Sequence, residues 1–201
     1  MRSFADSFVL TFVPLFIVID TIGSLPIIMS LSEGMTPKEH RKLINIALIT
    51  ATIVGLIFLF FGKFILDVMG ISVGAFSIAG GIILLVFAIR YLISGRWLNV
   101  IKEEMIAIVP LGTPLIVGPA TITTLLLLAN EEFPLYIILL SFAVNMIISW
   151  VVFLIGNKLV RFFGKGGIAA VSQVFNLLLV AIAVTMIIHG LDLTGIVNIT
   201  Q

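Results

Sequence analysis

The chain is 201 residues long, 61% of them hydrophobic and only 10% charged, with a mean hydropathy of +1.31. Soluble domains hold about 45 to 50% apolar residues, so this composition excludes a soluble globular protein and leaves an integral membrane protein of several spans, each about 20 residues. The net charge of +1 gives no basic field, so nucleic acid is not an expected partner; the absence of cysteine excludes disulfides, thiolate metal sites and thiol catalysis.

Apolar runs of spanning length fall at 8–31, 43–68, 73–94, 105–130, 134–156 and 168–190, which predicts six transmembrane helices in one domain over 1–201. The first run lacks a small-residue cleavage motif and is too long for the apolar core of a signal peptide, so it reads as a span. The breaks are polar: SEGMTPKEHRK (32–42), GRWLNVIKEE (95–104), NEEFP (130–134) and NKLVRFFGKGG (157–167). Pro37 and Pro134 suit first helical turns. Lys38, Arg41, Lys42, Arg90, Arg96, Lys102, Lys158, Arg161 and Lys165 gather at one side, against Arg2 and Lys63 at the other. Short cytoplasmic loops carry the excess of such residues, which predicts a multi-pass protein of the plasma membrane with both termini extracytoplasmic.

Within span 1 the stretch IVIDTIGSLP (17–26) sets Asp20, two hydroxyls, a glycine and a proline in an otherwise apolar run. Span 4 does the same with PLIVGPAT (114–121), after a further proline at Pro110. Proline removes a backbone donor and clashes with the preceding turn, while glycine relaxes the chain. Each span is therefore expected to break into two half-helices, around Pro26 in one and around Pro110, Pro114 and Pro119 in the other. Unpaired backbone at that depth is tolerated only where it lines a protein cavity or water, so the two breaks are expected to form a site.

Pro26 and Pro119 suit the first turns of the second half-helices, with Ser24 and Gly118 as caps. Two helix N-termini, each carrying unpaired N–H groups and about half a positive charge, would then face one centre suited to a carboxylate. An ionised aspartate at the bilayer centre costs about 2.5 to 3.5 kcal/mol, and such acids usually mark an ion or substrate pathway. Asp20 is expected to meet a substrate ammonium, a coupling proton or a cation; its structural alternative is a cap on the second half-helix. Thr21, Gly23, Ser24, Thr121, Thr123 and Thr124 are candidates for the same cavity, although hydroxyls in helices commonly bond back to their own backbone. Asn145 and Asn176, inside spans 5 and 6, are expected either to line it or to bond between helices.

The chain also echoes itself. Val13-Pro14-Leu15 matches Val109-Pro110-Leu111 at an offset of 96, Gly23 matches Gly118 at 95, and Gly62 and Gly70 match Gly156 and Gly164 at 94. Two units of three spans, 8–94 and 105–190, joined head to tail must lie with opposite topology. The expected fold is thus all-α, a polytopic membrane protein of two inverted three-helix repeats with broken helices 1 and 4, a plan common among secondary transporters. In span 3, GAFSIAGG (74–81) places Ala75 over Ala79 and Ser77 over Gly81, the small-residue spacing that permits close helix contact.

The combination of F-x-x-x-D-x-x-G-S-x-P in span 1, GISVGAFSIAGGIILL (70–85) and IVPLGTPLIVGPATITT (108–124) resembles the MarC family of six-span membrane proteins across nearly the whole chain. One departure is Thr21, where the family often has proline. The resemblance implies a transporter of small neutral amino acids, glycine and alanine, within an amino acid exporter superfamily. Its cofactors would be none beyond a coupling proton or sodium ion, and its partners the amino acid, membrane lipid and, as an open alternative, further copies of the chain. The alternatives are an exporter or facilitator of another small metabolite and a non-transporting scaffold. An enzyme is not expected, since no H-E-x-x-H or G-x-S-x-G occurs and the histidines are two, His40 and His189.

Overall fold

A computed structural model describes residues 3–32, 34–94, 116–130 and 133–195. Among these there is no strand. The helices are α1 (Phe4–Ile19), α2 (Thr21–Leu31), α3 (Pro37–Val68), α4 (Val73–Ser94), α5 (Pro119–Asn130), α6 (Leu135–Leu154) and α7 (Gly156–Leu193). Among the described residues four segments are long and apolar enough to cross a membrane, Phe4–Leu25, Pro37–Val68, Leu135–Leu154 and Ala170–Leu193. Two shorter apolar helices, Val73–Val86 and Ala120–Asn130, accompany them. Phe64 and Leu177 stand 67% and 61% exposed, which in water would be an aggregation liability and in lipid is the outer surface. The protein is an all-helical, multi-span membrane protein.

Local chemistry sets the helix starts earlier than the apolar runs do. Ser3 caps α1 through a reciprocal box with Asp6, its hydroxyl accepting the Asp6 N–H at 3.1 Å. Thr36 and Glu39 form the same box at α3, with Pro37 in the first turn. The helix begins at residue 37, as the position of Pro37 in the sequence suggests, six residues before the apolar run at 43: KEHRK marks where the apolar run stops, whereas the capping box marks where the helix starts. A larger difference lies at 157–167, expected as a connecting loop. Those residues continue α7, interrupted only at Gly164, whose φ of 68° and ψ of 166° leave the helical region that a side chain would hold. Leu159 and Val160 pack against the core while Phe162 and Phe163 are 83% and 54% exposed. Basic residues interleaved with apolar ones at helical spacing thus make an amphipathic turn rather than a loop.

Two clusters hold the helices together. Leu15, Ile19 and Leu25 of the first span pack with Ile44 of α3, Phe142 of α6 and the Ile116-Val117 pair before α5. Val18 packs with Ala88 of α4, Ala120 of α5 and Leu179 of α7. The most extensive pairing is α4 with α7, and it is antiparallel, since Gly74 meets Gly190, Ser77 meets Met186 and Gly81 meets Ala183. Ser77 Oγ donates to the Met186 carbonyl at 2.8 Å. The small-residue stripe of span 3 is thus a packing face, but its row is 74, 77 and 81. Ala75 and Ala79 are exposed, one helical position away from the contact, and Gly80 faces Thr123 of α5.

Candidate functional site: the break in the first span

The first span breaks at the aspartate. Asp20 has φ 45° and ψ 53°, the one left-handed residue other than glycine among those described. L residues rarely adopt that conformation; aspartate and asparagine tolerate it because their short side chains bond locally. Here the Asp20 N–H donates to the Ile17 carbonyl at 3.1 Å, closing α1. Its carboxylate Oδ1 accepts the Gly23 N–H at 3.0 Å, and its carbonyl accepts the Ser24 N–H at 2.9 Å, opening α2. One residue therefore ends a helix and caps the next. Gly23 is needed for space: a Cβ there would fall on the Asp20 carboxylate.

This corrects the predicted position of the second half-helix. It starts at Thr21, not Pro26, and its cap is Asp20, not Ser24. Ser24 is buried inside α2, and Pro26 lies in its second turn. Aspartate and serine cap about equally well, but only Asp20 both tolerates the left-handed turn that closes α1 and places an oxygen on the Gly23 N–H. As at any helix start, the Thr21 and Ile22 N–H groups have no partner within the helix.

The break in span 4 follows the expected pattern on its described side. Gly118 is non-helical, Pro119 is the first residue of α5, and the Ile122 N–H bonds to the Gly118 carbonyl at 3.1 Å. Pro110 and Pro114 lie outside the described residues. The flanks of the two breaks meet, because Val18 shares one cluster with Ala120, and Ile19 and Leu25 share the other with Ile116 and Val117. Thr121, Thr123 and Thr124 are all buried. Thr121 bonds back to the Ile116 carbonyl at 3.3 Å, and Thr123 sits over Gly80 of α4.

A polar column on α6 supports the break from one side. Ser141, Asn145 and Ser149 recur every four residues, so they share one helix face. Thr11 and Ser141 share a hydroxyl–hydroxyl bond of 2.7 Å, and Thr21 and Ser149 one of 2.6 Å. Ser149 Oγ donates to the Asn145 carbonyl at 2.9 Å, which leaves Thr21 as the donor to Ser149. Asn145 Nδ2 donates to Ser141 and, across the interface, to the Phe12 carbonyl at 2.8 and 3.3 Å. The order of these pairs makes α6 parallel to the first span. Asn145 is thus an interhelical bond as well as a buried residue, and its Oδ1 has no partner. On the other side, Phe175 of α7 packs edge-on against Phe16, ring centroids 5.7 Å apart, and places the buried Asn176 beside it.

Ser141, Ser149 and Thr11 escaped the sequence reading, although the four-residue spacing of Ser141, Asn145 and Ser149 was a visible signal. Among the described residues no three histidine, aspartate or glutamate groups converge. What the region offers is one carboxylate, neutral hydroxyl and amide groups, and helix starts at Thr21 and Pro119.

Residues 5–194 match the family model described as MarC family integral membrane protein. A UPF0056 membrane protein of Pyrococcus abyssi is 32% identical over 197 residues, which cover 95% of this chain and 97% of the relative. Another from Methanocaldococcus jannaschii is 36% identical over 193 residues, covering 90% and 84%. The UPF0056 inner membrane protein YhgN of Escherichia coli is 33% identical over 184 residues, covering 88% and 92%. No solved structure matches the chain.

Proposed function

Because the chain belongs to the MarC family of integral membrane proteins, we propose that it is a secondary transporter of small neutral amino acids such as glycine and alanine, acting by alternating access in the plasma membrane. The observation that carries this proposal is Asp20, an acid inside an apolar span that simultaneously breaks the span and opens a new helix. In this reading the helix starts at Thr21 and Pro119 receive the substrate carboxylate, and Asp20 attracts the ammonium. Thr121, Thr123, Thr124 and the asparagines at 145 and 176 complete a small polar lining.

The proposal extends to the whole molecule. Repeats 8–94 and 105–190 form two inverted units that rock about the site, both termini lie outside the cell, and a proton or sodium gradient drives the cycle. No enzymatic step belongs to it, and membrane lipid surrounds a chain that works alone or as a homo-oligomer.

The chain has no cysteine, so single cysteines at Ser24 and Thr124 report access without background. Glycine is expected to raise labelling by a membrane-impermeant reagent from one face and lower it from the other. Equal labelling from both faces, indifferent to glycine, would contradict alternating access.

A further inference from the structure

Among the described residues of the apolar spans, three buried oxygens have no hydrogen-bond partner: Asn145 Oδ1, Ser172 Oγ and Asn176 Oδ1. The last two belong together. They lie four residues apart on α7 and are 1% and 2% exposed, with Phe175 and Leu179 on the same helix face. Other hydroxyls in these helices bond back to the preceding turn: Thr11 to Ser7, Thr52 to Leu48, Ser149 to Asn145 and Thr185 to Ala181. Ser172 does not. A buried oxygen left without a donor is destabilising, so a pair of them on one face is an arrangement that a ligand would complete.

The face lies beside the last turns of α1. Phe175 packs on Phe16, while a Cβ on Gly156, earlier in α7, would meet Leu25 and Met29 of α2. Gly164 breaks the helix between Gly156 and Phe175, so the two pieces of α7 contact the first span on either side of its break. Ser172 lies nearly one turn before Phe175 on the same face. Leu179 on the same face shares a cluster with Val18. The end of α1 that this face approaches is a helix C-terminus, where unpaired carbonyls carry about half a negative charge, and it ends in the Asp20 carboxylate.

Neutral side-chain oxygens, the carbonyl end of a half-helix and one carboxylate all select the same kind of ligand, one with positive charge and no need for soft donors. We infer that Ser172 and Asn176 on α7 hold a small monovalent cation against the broken end of α1. Two sources share that chemistry: a sodium ion, or the ammonium group of the substrate. The second source rests on the amino acid reading given above; the first does not. Sequence spacing alone offers Asn176 but gives no reason to pair it with Ser172.

Thermal unfolding of the purified protein in detergent tests this, with choline chloride as the reference buffer and sodium chloride, potassium chloride, glycine or glycolate added. If the cation is sodium, sodium and not potassium raises the melting temperature without any amino acid. If it is the ammonium group, glycine raises it in choline buffer and glycolate, which has a hydroxyl in its place, does not. In either case Ser172→Ala and Asn176→Leu each weaken the apparent affinity for that ligand about tenfold, as expected for one lost ligand oxygen. Ser172→Ala removes a single oxygen from a helix and keeps the fold testable should Asn176→Leu fail to fold. A glycine shift that both variants retain would overturn the subsite and leave the transport reading standing. A sodium shift that the variants lose, with no glycine effect in any of them, would do the reverse. No shift with any of the four additions in the wild type would overturn the inference.

Discussion

Asp20→Asn is expected to leave the protein folded and nearly as stable as the wild type while weakening glycine binding about thirtyfold or more. Asparagine caps a helix as well as aspartate and tolerates the left-handed conformation, so the Gly23 N–H keeps its acceptor at the position that Asp20 Oδ1 now fills. What is lost is the negative charge, and removing one member of a buried charge pair costs about 2 kcal/mol or more. Asp20→Ala is expected to behave differently. It removes the cap and leaves an unsupported left-handed residue, lowering stability by about 1 to 3 kcal/mol. Urea or thermal unfolding together with equilibrium glycine binding separates the two roles. If the asparagine variant binds glycine as the wild type does, Asp20 is a structural cap and nothing more.

The second large effect is expected at the α4–α7 crossing. A Cβ at Gly190 would lie 2.7 Å from the Gly74 carbonyl oxygen and 3.0 Å from the Ile78 nitrogen. Both are backbone atoms, and α4 cannot move aside without also breaking the Ser77 bond to Met186 and the Gly81 contact with Ala183. Gly190→Leu is therefore expected to destabilise by about 3 kcal/mol or more, at the upper end of overpacking costs, and to abolish monodisperse protein in detergent. Gly166→Ala is the control, because a Cβ there meets nothing within 4 Å. Equal melting temperatures for the two variants would show that the helices are not held at this distance.

The general plan was legible because lipid imposes strong rules on sequence. Apolar runs of spanning length located the four spanning helices among the described residues, and Ser77 over Gly81 located the face between α4 and α7, whereas Ala75 over Ala79 did not. Gly118 followed by Pro119 is correctly read as a helix start, since a proline at the first position needs no donor. The break in span 1 is visible in IVIDTIGSLP, and so is Asp20 as a candidate cap, but Pro26 and Ser24 compete with it for the register. The structure puts the cap at Asp20, where a left-handed turn lets one side chain serve two helices. The stretch at 157–167 reads as a loop because lysine and arginine dominate its polarity, although its Leu159 and Val160 are apolar and pack, half-buried, against the core. The hydroxyl column from Thr11 to Ser149 went unread for another reason. A serine in an apolar helix usually bonds to its own backbone, and only the parallel packing of α6 on the first span reveals its partners.

The most direct measurement is uptake of labelled glycine into proteoliposomes holding the purified protein, with and without an imposed proton or sodium gradient. Uptake above empty liposomes that grows with one of the gradients, competes with alanine and is lost in Asp20→Asn is the expected result. Folded protein that gives no uptake under either gradient would contradict the proposal that the break at Asp20 is the centre of an amino acid transporter.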